Sequence, residues 1–432
     1  MLTQIFLLVR TVATITLTLA SPIALAQALS ITLALASPTA RAQALSFEQI
    51  ANGAVATHPA ILAKRSSSAA AKADLDGASW QRYPTPSLEL GNDNNNTRTT
   101  MLRVQQPLWT GGRITAGIDA AQSRHQASET AINETKQDIV LRVIAGYVEA
   151  LREQSRQETI AKGVEQHERL LGLISRRVEQ EASPRVDREL AQSRLYQVNN
   201  DLSTVEQALS NALTQLSQLA GTPIGKVIAL DRDRATGLRS KESVIQHAIE
   251  RSSTLRRLDF EEQASQADIE SKKASYKPQI SIRYENAYAS SPLNGIPGYS
   301  TSRVLLVAEA QTGAGLSALA GVDAAIAKRE AVRLQRETAL RDLQERVAMD
   351  WNEWVAARTR LDNARRASSS AKEVFESYTR QYTAGRKTWL DVLNTVREST
   401  QSEMAVADAY AQLTGASLRL RLVTGNLTGL TE

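Results

Sequence analysis

The chain contains no cysteine. Disulfides, thiolate metal sites and a cysteine nucleophile are thereby excluded. Aromatic residues make up only 4% of the sequence. That is sparse for the core of a compact enzyme and ordinary for long helices rich in Ala, Gln, Glu and Arg. Beyond the N-terminal segment no stretch approaches the ~18 consecutive apolar residues that a membrane-spanning helix requires. A large excess of one charge is missing too, since the net charge is +5 over 432 residues. Lys and Arg alternate with Asp and Glu along the helical stretches, the pattern of solvated faces, and no nucleic-acid partner is expected. The four histidines, His58, His125, His167 and His247, lie far apart, make no ligand spacing and read as surface residues. Phosphate-loop, serine-hydrolase and zinc-protease motifs are lacking. No catalytic, metal or cofactor site is expected, and energy coupling does not lie in this chain.

What is there is a duplication. Gly117-Ile118-Asp119-Ala120-Ala121 returns as Gly321-Val322-Asp323-Ala324-Ala325, a shift of 204. The same shift carries Tyr147 to Trp351, Asp187 to Asp391, Leu209 to Leu413, Leu216 to Leu420 and Gly221 to Gly425. A register held without a gap over about a hundred residues points to two copies of one large unit. Within the unit, Val198, Leu202, Val205, Leu209, Ala212, Leu216 and Leu219 recur at alternating steps of four and three. That is a heptad seam. Its copy runs Ser402, Val406, Ala409, Leu413, Ala416, Leu420, Val423. Upstream, Val140, Ile144, Tyr147, Val148 and Leu151 form an apolar face, matched by Leu340, Leu343, Val347, Trp351 and Trp354. Each unit therefore reads as two long helices. They break at Ser183-Pro184 in one copy and at Ala384-Gly385 in the other, proline and glycine being the expected punctuation. An unbroken helix from Gly117 to Ala182 would be roughly 100 Å long. One such hairpin has no way to bury both of its sides, so it should pack against other copies.

Taken in order, residues 1–42 read as a secretory signal that is itself duplicated, Thr16 to Ser30 recurring as Thr32 to Ser46. Two small-x-small sites result, Ala24-Leu25-Ala26 and Ala40-Arg41-Ala42. Cleavage after Ala42 is favoured because Phe47 opens the first mature helix; cleavage after Ala26 is the alternative. Residues 43–221 form the first repeat: a helix over 46–79, hairpin strands over about 86–107, and a helical hairpin over about 112–221. Residues 222–240 read as a connector with one short strand. Residues 241–425 form the second repeat, with a helix to 276, strands over about 279–311 and a helical hairpin over about 316–425. Residues 426–432 are a tail. Pro86 is matched to Pro278, a shift of 192, so the loop from Ser290 to Thr301 is read as the source of 12 extra residues.

In the strands Leu88 and Leu90 alternate with Ser87 and Glu89. Leu102 and Val104 alternate with Arg103 and Gln105, and Ile282 and Tyr284 with Arg283 and Glu285. Strands near ten residues with one apolar face fit a tilted bilayer crossing. Four strands are too few to close a barrel, and open edges do not survive in lipid. Several chains would then supply strands to one barrel. A small soluble sheet is the other reading of the pattern.

Pro107-Leu108-Trp109-Thr110-Gly111-Gly112-Arg113 resembles the strand-to-helix junction of TolC-type outer-membrane efflux proteins. Tyr382-Thr383-Ala384-Gly385-Arg386-Lys387-Thr388-Trp389-Leu390-Asp391-Val392-Leu393 resembles the second helical turn of the same family. The likeness covers essentially the whole mature chain; the second copy of the junction, Gln311 to Leu316, is degenerate. It implies a mainly α fold with a small β part, built of two tandem repeats. It also implies a homotrimer, with a twelve-stranded barrel in outer-membrane lipid of a Gram-negative bacterium, continued by a twelve-helix periplasmic tunnel. Function follows by the same resemblance: a passive export duct of a tripartite efflux or type I secretion system. Its partners would be a periplasmic adaptor (membrane fusion) protein and an inner-membrane pump of the ABC or RND type.

The resemblance also assigns residues. Ser183, Pro184, Ala384 and Gly385 would be the tips on which the adaptor docks, and Gly111 and Gly112 the strand-to-helix bend. Asp187 and Lys387 fall at the family's charged link across the closed entrance, and Tyr382 at its lock tyrosine. Val186 stands at the tyrosine's partner position and carries no hydroxyl. Asp391 matches an acid lining the entrance, where three copies would favour cations. Asn394 replaces a second acid one turn on. Read without the resemblance, Asp391 is an ordinary exposed residue or the cap of the helix after the turn. A periplasmic coiled-coil scaffold or adaptor without a pore is the alternative function. Such a protein would need a β-rich lipoyl-like domain flanking a single helical hairpin.

Overall fold

A computed structural model describes residues 43–92, 98–230, 240–291, 296–310, 317–425 and 427. The expected signal and its cleavage sites, the degenerate junction at 311–316 and most of the C-terminal tail lie outside these residues. The chain opens with β1 (Gln43–Leu45), α1 (Phe47–Thr57) and α2 (Pro59–Trp80). A hairpin follows, β2 (Thr85–Asn92) and β3 (Arg98–Trp109), then the long helices α3 (Arg113–Glu179) and α4 (Arg185–Ala220). After β4 (Ile224–Val227) the series repeats as α5 (Lys241–Arg251), α6 (Ser253–Ala274), β5 (Gln279–Ser291), β6 (Ile296–Glu309), α7 (Ser317–Thr383) and α8 (Trp389–Val423). Both ends of α3 map onto those of α7 by the shift of 204, as does the start of α4 onto α8. The tandem repeat is therefore structural.

Three details differ from the expectations. The helices expected over 46–79 and 241–276 are each broken. Pro59 has no N–H and disfavours helix before it. His58 is accordingly extended, and its Nδ1 accepts the Ala60 N–H at 3.2 Å. In the second repeat Ser252 replaces it, its hydroxyl accepting the Leu255 N–H at 3.2 Å. Second, α1 and α2 map onto α5 and α6 by a shift of 194, which aligns Pro84, not Pro86, with Pro278. Each proline directly precedes its strand, and the excess of the second hairpin is the difference between 204 and 194. Third, most of the expected loop from Ser290 to Thr301 is strand, because the β5–β6 ladder runs on through Tyr288↔Ser300 and Ala289↔Tyr299.

The four strands form one antiparallel sheet in the order β2-β3-β5-β6. Register puts Leu88, Leu102, Asn286 and Ser302 on one rung of the first face, and Ser87, Arg103, Glu285 and Arg303 on one rung of the other. The first face leaves Leu88, Leu90, Tyr284, Tyr288, Val304 and Leu306 exposed. The second face is mainly polar. Among the described residues of one chain, β2 and β6 each have a strand neighbour on one side only.

The largest core joins α1 to α3, α4 and the end of α8, with Phe47, Ile50, Ile144, Tyr147, Leu216 and Leu418 fully buried. The Phe47 and Tyr147 rings meet edge to face at 5.5 Å. The connector is strapped to this core. β1 pairs in parallel with β4. The Tyr147 and Tyr410 hydroxyls donate to the carbonyls of Ile228 at 2.6 Å and Leu230 at 2.8 Å. Burial pushes the Tyr147 phenol well above its ordinary pKa. The heptad seam is inward: Val198, Val205, Ala212 and Leu216 are buried, and so are Ala409, Ala416 and Leu420 of its copy. On α7, by contrast, Leu319, Ile326, Leu334, Met349 and Val355 stay exposed. No described helix is long and apolar enough to cross a membrane. The surface expectation fails for His167, which is buried with Nδ1 2.8 Å from the Gly163 carbonyl. A histidine facing inward on a helix satisfies itself by bonding back one turn.

Candidate entrance at the two helical turns

The two turns are built on one backbone plan. Glu181 and Gly385, related by the shift of 204, both take the left-handed conformation, at φ 58° and 76°. Their N–H groups donate to the carbonyls of Val178 and Tyr382, each at 3.0 Å. The next N–H groups, of Ala182 and Arg386, reach back to Arg177 at 2.8 Å and Gln381 at 2.9 Å. These bonds satisfy the last carbonyls of α3 and α7. Glycine adopts this conformation without penalty; the Glu181 side chain costs about 1–2 kcal/mol there. Ala384 and Gly385 are exposed, as is Pro184, while Ser183 is half-buried.

The helices that follow start differently. Thr388 caps α8 with a full capping box: its hydroxyl accepts the Asp391 N–H at 3.2 Å, and the Asp391 carboxylate accepts the Thr388 N–H at 3.1 Å. The Thr388 hydroxyl also lies 2.8 Å from that carboxylate. The Thr388 hydroxyl and amide, and then the Lys387 charge, hold the Asp391 carboxyl below its usual range. The capping role weighed for Asp391 is thus present. In the other copy Pro184 stands in place of Thr388 and offers no side-chain cap. Asp187, the counterpart of Asp391, has no such box.

Tyr382 is buried, its ring 5.3 Å from that of Trp389 and 4.9 Å from the Arg177 guanidinium carbon. Its hydroxyl lies 3.4 Å from that of Ser183. Val186 lacks a hydroxyl and is exposed, so Ser183 supplies the tyrosine's polar neighbour instead. Trp389 donates its indole N–H to the Asp187 carbonyl at 3.1 Å, which ties one turn to the other. Beneath it Leu170, Ile174, Ala191, Val392, Leu393 and Val396 form a compact cluster. The Lys387 ammonium sits 4.3 Å from the centroid of the Tyr378 ring. No ion pair joins it to Asp187 among the described residues of one chain. Asn394 is exposed.

The turns thus gather Tyr382, Ser183 and the Asp187 backbone around Trp389, and they leave Lys387 and Asn394 apart from that group. Trp389 and Arg177 were not foreseen as site residues. A lone tryptophan just after a glycine turn was the available signal for the first.

At the other end of α3, Gly111 and Gly112 both take positive φ, 62° and 96°. A side chain on Gly111 would come within 2.8 Å of the Lys277 Cβ. This is the strand-to-helix bend, and it needs glycine for both conformation and space.

A tandem pair of β-hairpins, apolar on one sheet face, joined to long paired helices defines a channel-type membrane protein. The model of the family described as outer membrane efflux protein matches residues 50–222 and 244–426. The chain belongs to the outer membrane efflux protein family, and it is an outer-membrane protein reaching into the periplasm. It is 23% identical to the outer membrane protein TolC of Vibrio cholerae over 321 residues, 72% of this chain and 73% of that one. Among solved structures it is similar to CusC, with a TM-score of 0.77 at 15% identity, covering 88% of this chain and 91% of that one. Similar too is the outer membrane protein VceC of Vibrio cholerae, at 0.76 and 16%, covering 88% and 96%. The open-state MtrE channel of Neisseria gonorrhoeae follows at 0.74 and 16%, covering 88% of each chain.

Proposed function

We propose that three copies of this chain close into a twelve-stranded barrel, continued by a twelve-helix tunnel, and that the assembly is a passive export duct without catalytic activity. The observation that carries the reading is the sheet: exposed leucines, valines and tyrosines on one face, a polar opposite face, and single-sided strands β2 and β6 at its edges. Pairing β6 of one chain with β2 of the next removes the open edges that lipid does not tolerate. The apolar surface of α7 is covered by the same closure. Residues 1–42 are removed, 43–221 and 241–425 are the two repeats, and 222–240 connects them.

The turns form the periplasmic entrance. Asp391, Asn394, Lys387, Tyr382 and Asp187 set its charge and closure, and an adaptor docks around Ser183, Pro184, Ala384 and Gly385. An inner-membrane pump, of the ABC or RND type, supplies the energy for tripartite efflux or type I secretion. The family membership and the sheet's apolar face favour this duct over a periplasmic scaffold. The test is extraction and mass. The duct stays in the membrane through a salt wash, needs detergent, and then has three times the mass of the mature chain. Release by salt alone, or a monomer in detergent, would refute it.

A further inference from the structure

Midway along the polar face of the sheet, one carboxylate is hidden and the guanidiniums around it are displayed. Glu285 is buried, at 5% exposure, and three arginines converge on it from three strands. Its Oε1 accepts from Arg103 Nε at 3.2 Å and lies 3.9 Å from Arg283 Nη1. Its Oε2 accepts from Arg303 Nε at 2.8 Å and lies 2.7 Å from Arg303 Nη2. One carboxylate neutralises one guanidinium. Arg283 finds a second, neutral partner in Gln105, at 3.2 Å. The Arg303 side chain is 61% exposed and that of Arg103 36%, against 6% for Glu285. On the next rung Glu89 lies opposite Met101 and diagonal to Arg103, so it offsets part of the excess. At the foot of the sheet Arg113 and Lys277 outnumber Glu309. The sum on this face is positive, and around Glu285 the charge that reaches solvent is cationic.

We propose that this cluster is an anion-attracting band inside the barrel, a second charge filter in series with the acidic entrance and opposite to it in sign. The band rests on the closed trimeric barrel proposed above, which turns the polar face inward and repeats the cluster three times. Carboxylated or phosphorylated solutes are the cargo class it favours. A lumen walled by protein focuses the field of such a ring on passing ions. Arg303 is the specificity-determining residue, because its side chain is the most exposed of the three.

The experiment is block of the purified full-length trimer in a planar bilayer by hexacyanoferrate(II), added from the barrel side. Wild-type current is expected to be blocked. Arg303→Gln should weaken the block by on the order of tenfold, since three charges leave the path of a tetravalent anion at partly screened range. Arg303→Lys should restore it, which a purely structural arginine, dependent on its two-pronged bond to Glu285, would not allow. Current without block in the wild type, or equal block in Arg303→Gln, would overturn the band while leaving the duct standing. A protein that gives no current at all would overturn the barrel and the band with it.

Discussion

Trp389 is the most informative residue to remove. It is 4% exposed, stacks at an angle on Tyr382, and holds the Asp187 carbonyl through its indole N–H. It is thus packed between the turn after α3 and the turn after α7. Trp389→Ala empties a site lined by Ile174, Val392 and Val396. Truncating a buried tryptophan costs about 3–5 kcal/mol when the cavity does not collapse. Trp389→Phe keeps most of the apolar contact and loses the one hydrogen bond, about 1 kcal/mol. Native-state hydrogen exchange of the amides at 392–396 reads the local opening directly. At about 1.4 kcal/mol per tenfold, the alanine variant should exchange there about a hundredfold faster or more, and the phenylalanine variant about five- to tenfold faster. Unchanged protection in the alanine variant would refute the view that this side chain pins the two turns together.

Other consequences are as direct. Asp391→Ala should reduce cation preference in reversal-potential measurements; equal selectivity would remove Asp391 from the entrance. Because its carboxyl is held below the usual range, the Asp391 capping contribution is complete at neutral pH and above. It is lost progressively as the pH falls from the ordinary carboxylate pKa to the lowered one, and it is gone below that. Tip protection followed by hydrogen exchange down an acid series checks this order. Asp187→Ala should raise the conductance of the closed channel if Asp187 links neighbouring helices across the entrance, and wild-type conductance would discard that link. Gly385→Ala puts a Cβ on a left-handed residue and should cost about 1–2 kcal/mol of local stability at the second turn, again read by exchange.

The features legible in sequence were those with a period. The shift of 204 held because α3 and α7 are packed on the same plan, and the heptads of α4 and α8 marked inward faces that the structure buries. Alternation likewise identified the strands. The break at His58 carries a signal in Pro59, but the apolar residues on either side keep the helical spacing across it. Pro84 and Pro86 compete for one role two residues apart, and only the helix ends decide between them. At the turns, Thr388 and Asp391 carry the spacing of a capping box, so the cap was readable. The placement of Lys387 over Tyr378 and of Trp389 on the Asp187 carbonyl was not, because each depends on two helices meeting.

An export duct of this kind requires a continuous pore with a narrow, acidic periplasmic end. Single-channel recording of the purified mature protein in a planar bilayer tests it most directly. Insertion and small, stable, cation-selective currents are expected. Failure to insert, or insertion with wide, non-selective currents, would contradict it.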